Sequence, residues 1–135
     1  MRGQCWVFLM LFVFFLAGCF SAKIAVPGEV VQLFQGETVT FEGSELSIWF
    51  VKVIEDSRCP EGAICLWEGR MVILLEIREG QRREKREISL QASQLPHEER
   101  VDEFLLTISA FGPPRKLGQD DVPPQYYLVL SFTRR

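Results

Sequence analysis

From Val30 to Arg135, apolar side chains recur at every second position in one short run after another, and no segment sustains a helical period. That alternation restricts the chain to β structure, because only a strand turns successive side chains to opposite faces. Leu46, Ile48, Phe50 and Ile54 alternate with Trp49, Val51 and Val53, and Met71, Ile73, Leu75 and Ile77 with Val72 and Leu74. Both faces of these runs are apolar, which predicts central strands covered on both sides. Arg83–Leu90 is more polar, with Ile88 and Leu90 as its inward positions, and reads as an edge strand blunted by charge. Val30–Gln35 and Glu37–Glu42 flank Gly36. Phe104, Leu106 and Ile108 form one more inner face, which Gly112-Pro113-Pro114 ends because proline cannot donate to a ladder. Tyr126, Leu128, Leu130 and Phe132 line the closing strand, after a loop at Asp120–Pro124. Between Ala92 and Val101 the sequence holds a single turn, with Ser93 to cap it. About seven short strands with turn signals between them predict one all-β domain, a single antiparallel β-sandwich or small barrel, immunoglobulin-like in outline. The distant cysteine pair and intervening tryptophan of a true immunoglobulin domain are absent.

Ahead of this domain stands a different kind of segment. Arg2 and the amino terminus form a short positive region, followed by the apolar run Trp6–Ala17. Twelve residues fall short of the roughly 20 that cross a bilayer core and suit the apolar stretch of a signal peptide. Leu16-Ala17-Gly18-Cys19 resembles the lipobox of bacterial lipoproteins, in which the cysteine thiol receives diacylglycerol before cleavage ahead of it. The organisation expected is a signal peptide over 1–18, a lipidated tether over 19–29 and the β-domain over 30–135. A single acyl chain holds a protein only marginally, and lipoprotein processing adds more than one. Phe20, with no aspartate after the cysteine, permits the outer membrane, so the protein is expected in the cell envelope, facing the periplasm there rather than at the inner membrane.

Export places the remaining cysteines in an oxidising compartment. Cys5 leaves with the leader and Cys19 takes lipid, which leaves Cys59 and Cys65 with Pro60 and Gly62 between them to turn the chain back. A structural Cys59–Cys65 disulfide is the favoured reading, worth roughly 2 kcal/mol for so short a loop. Zinc asks for four ligands and a thioredoxin-like pair for C-x-x-C at a helix start; neither pattern is present, and no metal or other cofactor is expected.

Charge narrows the partners. The chain carries −3 in all, and losing residues 1–18 removes one base, Arg2, to leave −4. Such acidity disfavours nucleic acid, which requires a basic stripe. The run Arg82-Arg83-Glu84-Lys85-Arg86 is interrupted by an acid and reads as a solvated hairpin tip.

The segment Asp56-Ser57-Arg58-Cys59-Pro60-Glu61-Gly62-Ala63-Ile64-Cys65-Leu66-Trp67-Glu68-Gly69 resembles the D-S-R-C-P-x4-C-x-W-x-G motif of a family of small bacterial lipoproteins and secreted β-proteins. The resemblance extends to a closing Tyr126-Tyr127-Leu128-Val129-Leu130 strand, and it implies a lipoprotein β-domain without implying an activity. Physically, Asp56 can accept backbone N–H bonds across a turn, while Arg58 can pair with Asp56 or Glu61 or reach outward. Pro60 and the disulfide stiffen the loop, Trp67 can pack over the bridge, and Gly69 permits a bend or bulge into the next strand. Asp56, Arg58, Pro60, Trp67 and Gly69 are therefore candidates for a recognition loop, weighed against a plain rigid connection sealing one end of the core, and against a catalytic loop.

Catalytic machinery has no comparable signature. No G-x-S-x-G occurs, His97 is the only histidine and sits in a polar stretch, and Asp120-Asp121 lacks calcium-loop spacing. The function expected is that of a membrane-anchored, non-enzymatic domain that binds an envelope protein or glycan, or supports envelope structure. The alternative is a small periplasmic hydrolase or a redox accessory protein.

Overall fold

A computed structural model describes residues 23–119 and 123–135. The leader over 1–18, the lipobox and Cys19 lie outside the described residues, as do Asp120 and Asp121. Among the described residues, nine strands form the domain: β1 Lys23–Ala25, β2 Val31–Phe34, β3 Thr38–Phe41, β4 Leu46–Asp56, β5 Met71–Glu79, β6 Arg82–Leu90, β7 His97–Val101, β8 Phe104–Gly112 and β9 Tyr127–Arg134. They make two sheets, β1-β3-β4-β5-β6 and β2-β9-β8-β7, which face each other as a sandwich without closing into a barrel. All pairings are antiparallel except β1 with β3, which is parallel.

The core is the meeting of the two inner faces. Ile48, Phe50, Ile73 and Leu75 from one sheet are fully buried with Leu33, Ile108, Leu128 and Leu130 from the other. Phe132 reaches across the layer, its ring centroid 3.9 Å from that of Phe41. Ile88 and Leu90 are buried at the end of β6, which forms one edge of its sheet with its charged half in solvent.

Five expectations need correction. Two strands are added to the seven. Lys23–Ala25, in the segment expected as tether, pairs with β3, burying Ala25 completely and linking Lys23 to Glu37 at 2.5 Å. His97–Val101, expected as a polar turn, is strand β7 against β8, with Val101 buried. Three residues of alternation are too short a signal to see in sequence, and an edge strand with one solvated face carries few apolar positions. The helical turn that does form there is a 3-10 turn at Ala92–Gln94 without a side-chain cap, and Ser93 bonds to Glu68 instead.

The other two concern β4 and β5. A two-layer sandwich has one interior, so Val72 and Leu74 are half-buried outward positions; further along the same outer face the Arg78 guanidinium lies 5.2 Å from the centre of the Trp49 ring. Along β4, register shifts occur between Phe50 and Lys52 and between Val53 and Glu55. Each extra residue reverses the parity of the strand. Val53 therefore packs against the core opposite Ile73, and Ile54, expected on the face of Leu46, is 45% exposed.

Candidate functional site

β4 and β5 are joined by the loop 57–70, which projects from one end of the sandwich beside the connection from β8 to β9. The loop is stitched along its length. Ser57 N–H donates to Arg70 O at 2.9 Å, Cys59 N–H to Glu68 O at 2.8 Å and Ala63 N–H to Pro60 O at 3.1 Å. The Cys59–Cys65 disulfide closes it, with Cα atoms 6.0 Å apart. Glu61 N–H donates to Arg115 O at 2.8 Å, and Glu61 forms a bridge with Lys116, tying the loop to the opposite sheet's connection. The Glu68 carboxylate receives the Ser93 N–H and hydroxyl, fixing the other flank to the segment after β6.

At its base sits an enclosed polar cluster. Arg58 grips Asp56 with two bonds, Nε to Oδ1 at 2.7 Å and Nη2 to Oδ2 at 2.8 Å, both side chains being mostly buried. Of the partners open to Arg58 in sequence, Asp56 is the one taken. The Tyr126 hydroxyl donates to Asp56 Oδ2 at 3.1 Å, and the Phe111 ring lies 5.5 Å from the guanidinium carbon of Arg58. Burial works to raise the Asp56 pKa, but the Arg58 hydrogen bonds and charge, with the Tyr126 hydroxyl, outweigh it and hold the carboxyl below its ordinary value. Burial, then the Asp56 charge, push the Tyr126 phenol up. Arg115 Nη1 also donates to Arg58 O at 3.4 Å. These charges are spent on each other, which makes the cluster a clamp between the sheets.

Gly69 is where the loop returns. Its φ is +73°, and a Cβ there would stand 1.9 Å from Ser57 O and 2.8 Å from Arg58 Cα. Two backbones thus pass where no side chain fits, a tighter demand than the bend expected. Pro60 is half-buried in the first turn. Trp67 is 59% exposed, so most of its ring faces solvent rather than being buried over the bridge. Ile64 and Leu66, on either side of Cys65, are fully exposed, and Leu117 is 60% exposed with its side chain next to Gly62.

An open cleft of about 880 Å³ lies beside the clamp, lined in part by Asp56, Arg58, Arg115, Lys116, Pro124 and Tyr126. His97 does not line it. That histidine stands on β7 with Nε2 3.0 Å from Glu99 Oε1, a neighbour of the same strand face.

Of the candidates singled out in the sequence, Arg58, Pro60, Trp67 and Gly69 lie on the loop and Asp56 ends β4 at its base. Sequence reasoning missed Tyr126 as the partner of Asp56, 70 residues away, and Leu117 as a neighbour of the apolar tip. Tyr126 keeps the inward parity expected of it and packs against the core, and nothing local in the sequence marks that its hydroxyl also reaches Asp56. Compared with protein-family models, curated proteins and solved structures, the chain matches none of them.

Proposed function

We propose that this is a bacterial lipoprotein of the cell envelope, anchored through Cys19 and facing the periplasm at the outer membrane, whose β-sandwich presents the 57–70 loop as a non-enzymatic recognition surface. One observation carries the reading. Ile64, Leu66 and Trp67 stand in solvent on a loop made rigid by a disulfide, a buried ion pair and backbone bonds on both flanks. Single exposed apolar residues are ordinary, but a cluster on a stiffened projection marks an interaction site. Rigidity lowers the ordering cost of contact. Asp56, Arg58, Pro60 and Gly69 shape the loop, while Ile64, Leu66 and Trp67 make the contact.

The test is fractionation with crosslinking in intact envelopes. The wild-type chain is expected in the membrane fraction with acyl chains on Cys19, and Cys19→Ser is expected to leave that fraction. A photo-crosslinker at position 67 is expected to label an envelope component, whereas one on β6 at Lys85 is not. Equal membrane retention of Cys19→Ser would overturn the anchor, and equal labelling from positions 67 and 85 would overturn the loop.

A further inference from the structure

We propose that the sandwich lies with its β1–β2 edge against the bilayer, Ile24, Val26 and Val30 seated in the headgroup boundary and the 57–70 loop held clear of it; the inference rests on the Cys19 anchor proposed above. The fold has two lateral edges. β1 and β6 end one sheet, β2 and β7 the other. Lys23 Nζ donates to Gln32 O at 2.9 Å, so β1 and β2 lie together on one side. Arg86 Nη1 donates to Arg100 O at 2.7 Å, so β6 and β7 lie together on the other. The chain from Cys19 to Lys23 spans at most about 14 Å, and an acylated cysteine keeps the start of β1 within that distance of the lipid. The loop lies farther off. Lys23 is aligned through Val39 with Ile48, and Asp56, at the base of the loop, stands about 26 Å further along β4.

The side chains of the two edges differ in the sense this orientation requires. Ile24 is 68% exposed on β1, Val30 67% exposed at the entry to β2, and Val26 39% exposed in the turn that joins them. That turn is closed by Glu29 N–H donating to Val26 O at 3.0 Å and pinned to β9 by Gly28 N–H donating to Phe132 O at 3.0 Å, so the three stand on a fixed scaffold. On the opposite edge the exposed side chains are mainly charged: Arg82, Arg83, Lys85, Glu87, Glu98 and Arg100. The other large apolar side chains left exposed, Ile54, Ile64, Leu66, Trp67 and Leu117, lie at the loop end. The sandwich is thus apolar where the tether joins it and charged on the side turned away. Three aliphatic side chains fall short of the roughly 800 Å² that each side of a stable protein interface contributes. A tethered domain needs no such area, because the anchor supplies the effective concentration. Lys23 is paired with Glu37, and Glu29 and Glu42 stand exposed beside the turn, so the contact is apolar rather than an attraction to anionic lipid.

The experiment uses the processed protein, purified from membranes and reconstituted into phosphatidylcholine vesicles, with one nitroxide at a time on Ile24→Cys, Val26→Cys, Val30→Cys, Leu66→Cys or Lys85→Cys. Labelling without reductant keeps the Cys59–Cys65 bridge closed, and an alkylated Cys19 takes no label. The readout is the collision of each nitroxide with oxygen, which concentrates in lipid, against a nickel chelate confined to water. Labels at 24, 26 and 30 are expected to favour oxygen, and those at 66 and 85 nickel. Ile24→Glu with Val30→Glu, both at exposed positions, is expected to keep the strand circular dichroism and to float with the vesicles. The label at 26 is then expected to return to nickel, since each aliphatic side chain is worth on the order of 10-fold in partitioning. Protein that floats while labels at 24, 26 and 30 meet nickel as readily as the label at 85 overturns the proposal and leaves the anchor standing. Protein that fails to float overturns both. Dipolar coupling between labels at 24 in neighbouring molecules, without a preference for oxygen, assigns the edge to a second copy and overturns the proposal. A stronger preference for oxygen at 66 than at 24 and 30 puts the loop end in lipid and likewise overturns it.

Discussion

Replacing Gly69 by alanine tests whether the loop is as tightly closed as its geometry requires. Two costs add. The first is conformational: at φ +73° an L-residue pays about 1–2 kcal/mol in the left-handed region. The second is steric. The new methyl would stand 1.9 Å from Ser57 O and 2.6 Å from Ser57 C, both backbone atoms that no rotamer change can move. Non-bonded contacts begin near about 3.5 Å, so the two chain segments must part by more than about 1 Å. That opens the Ser57–Arg70 and Cys59–Glu68 backbone bonds, each worth about 1 kcal/mol. The expected loss is about 3–4 kcal/mol, a large part of the stability of a small domain, and a fall in Tm of about 12 °C or more. Urea and thermal melts of the processed protein, followed by circular dichroism with the disulfide intact, measure it. Gly43→Ala is the matched control, with φ +74° and nothing within 4 Å of the added methyl, so only the conformational cost of about 1–2 kcal/mol applies. If the two variants fall within about 0.5 kcal/mol of each other, the close approach of Gly69 to Ser57 is not a rigid feature and the argument for a pre-shaped loop fails.

Asp56→Asn leaves the guanidinium of Arg58 mostly buried without its counter-charge, and is expected to cost about 3 kcal/mol by urea melts at neutral pH. Because Asp56 titrates below its unfolded value, its contribution is whole above pH ~4 and is lost as pH falls through the lower folded value. The wild type should therefore lose stability in acid more steeply than Asp56→Asn, and parallel pH profiles would refute the pairing. Reducing the Cys59–Cys65 bridge, which spans six positions, is expected to cost about 2 kcal/mol while leaving the strand circular dichroism unchanged, since neither cysteine contributes to the core. Phe132→Ala removes the ring packed against Phe41 and Phe104, an expected loss of about 3–5 kcal/mol; a smaller loss in a thermal melt would mean that the core collapses to fill the space.

The sequence alone determined the β class, the inward faces of β5, β6, β8 and β9, the end of β8 at Gly112 and the pairing of Cys59 with Cys65. Each of these follows from local chemistry: alternation, proline's missing donor, and the short contour between two thiols. Tertiary structure decided what local chemistry leaves degenerate. Val53 and Ile54 are both apolar, and which one turns inward depends on bulges that exist only against β5. Lys23–Ala25 and His97–Val101 become strands because β3 and β8 offer them open edges, not because their own pattern demands it. Asp56 and Arg58 are near neighbours in sequence, but their enclosure needs Phe111 and Tyr126 from the other sheet. The crosslinked loop was visible as a motif from its residues. Its exposure of Ile64, Leu66 and Trp67 became visible only once the fold had buried the strands' inner faces and left these three outside, as it leaves Ile24, Val30 and Leu117 elsewhere, since burial depends on what the rest of the chain packs against.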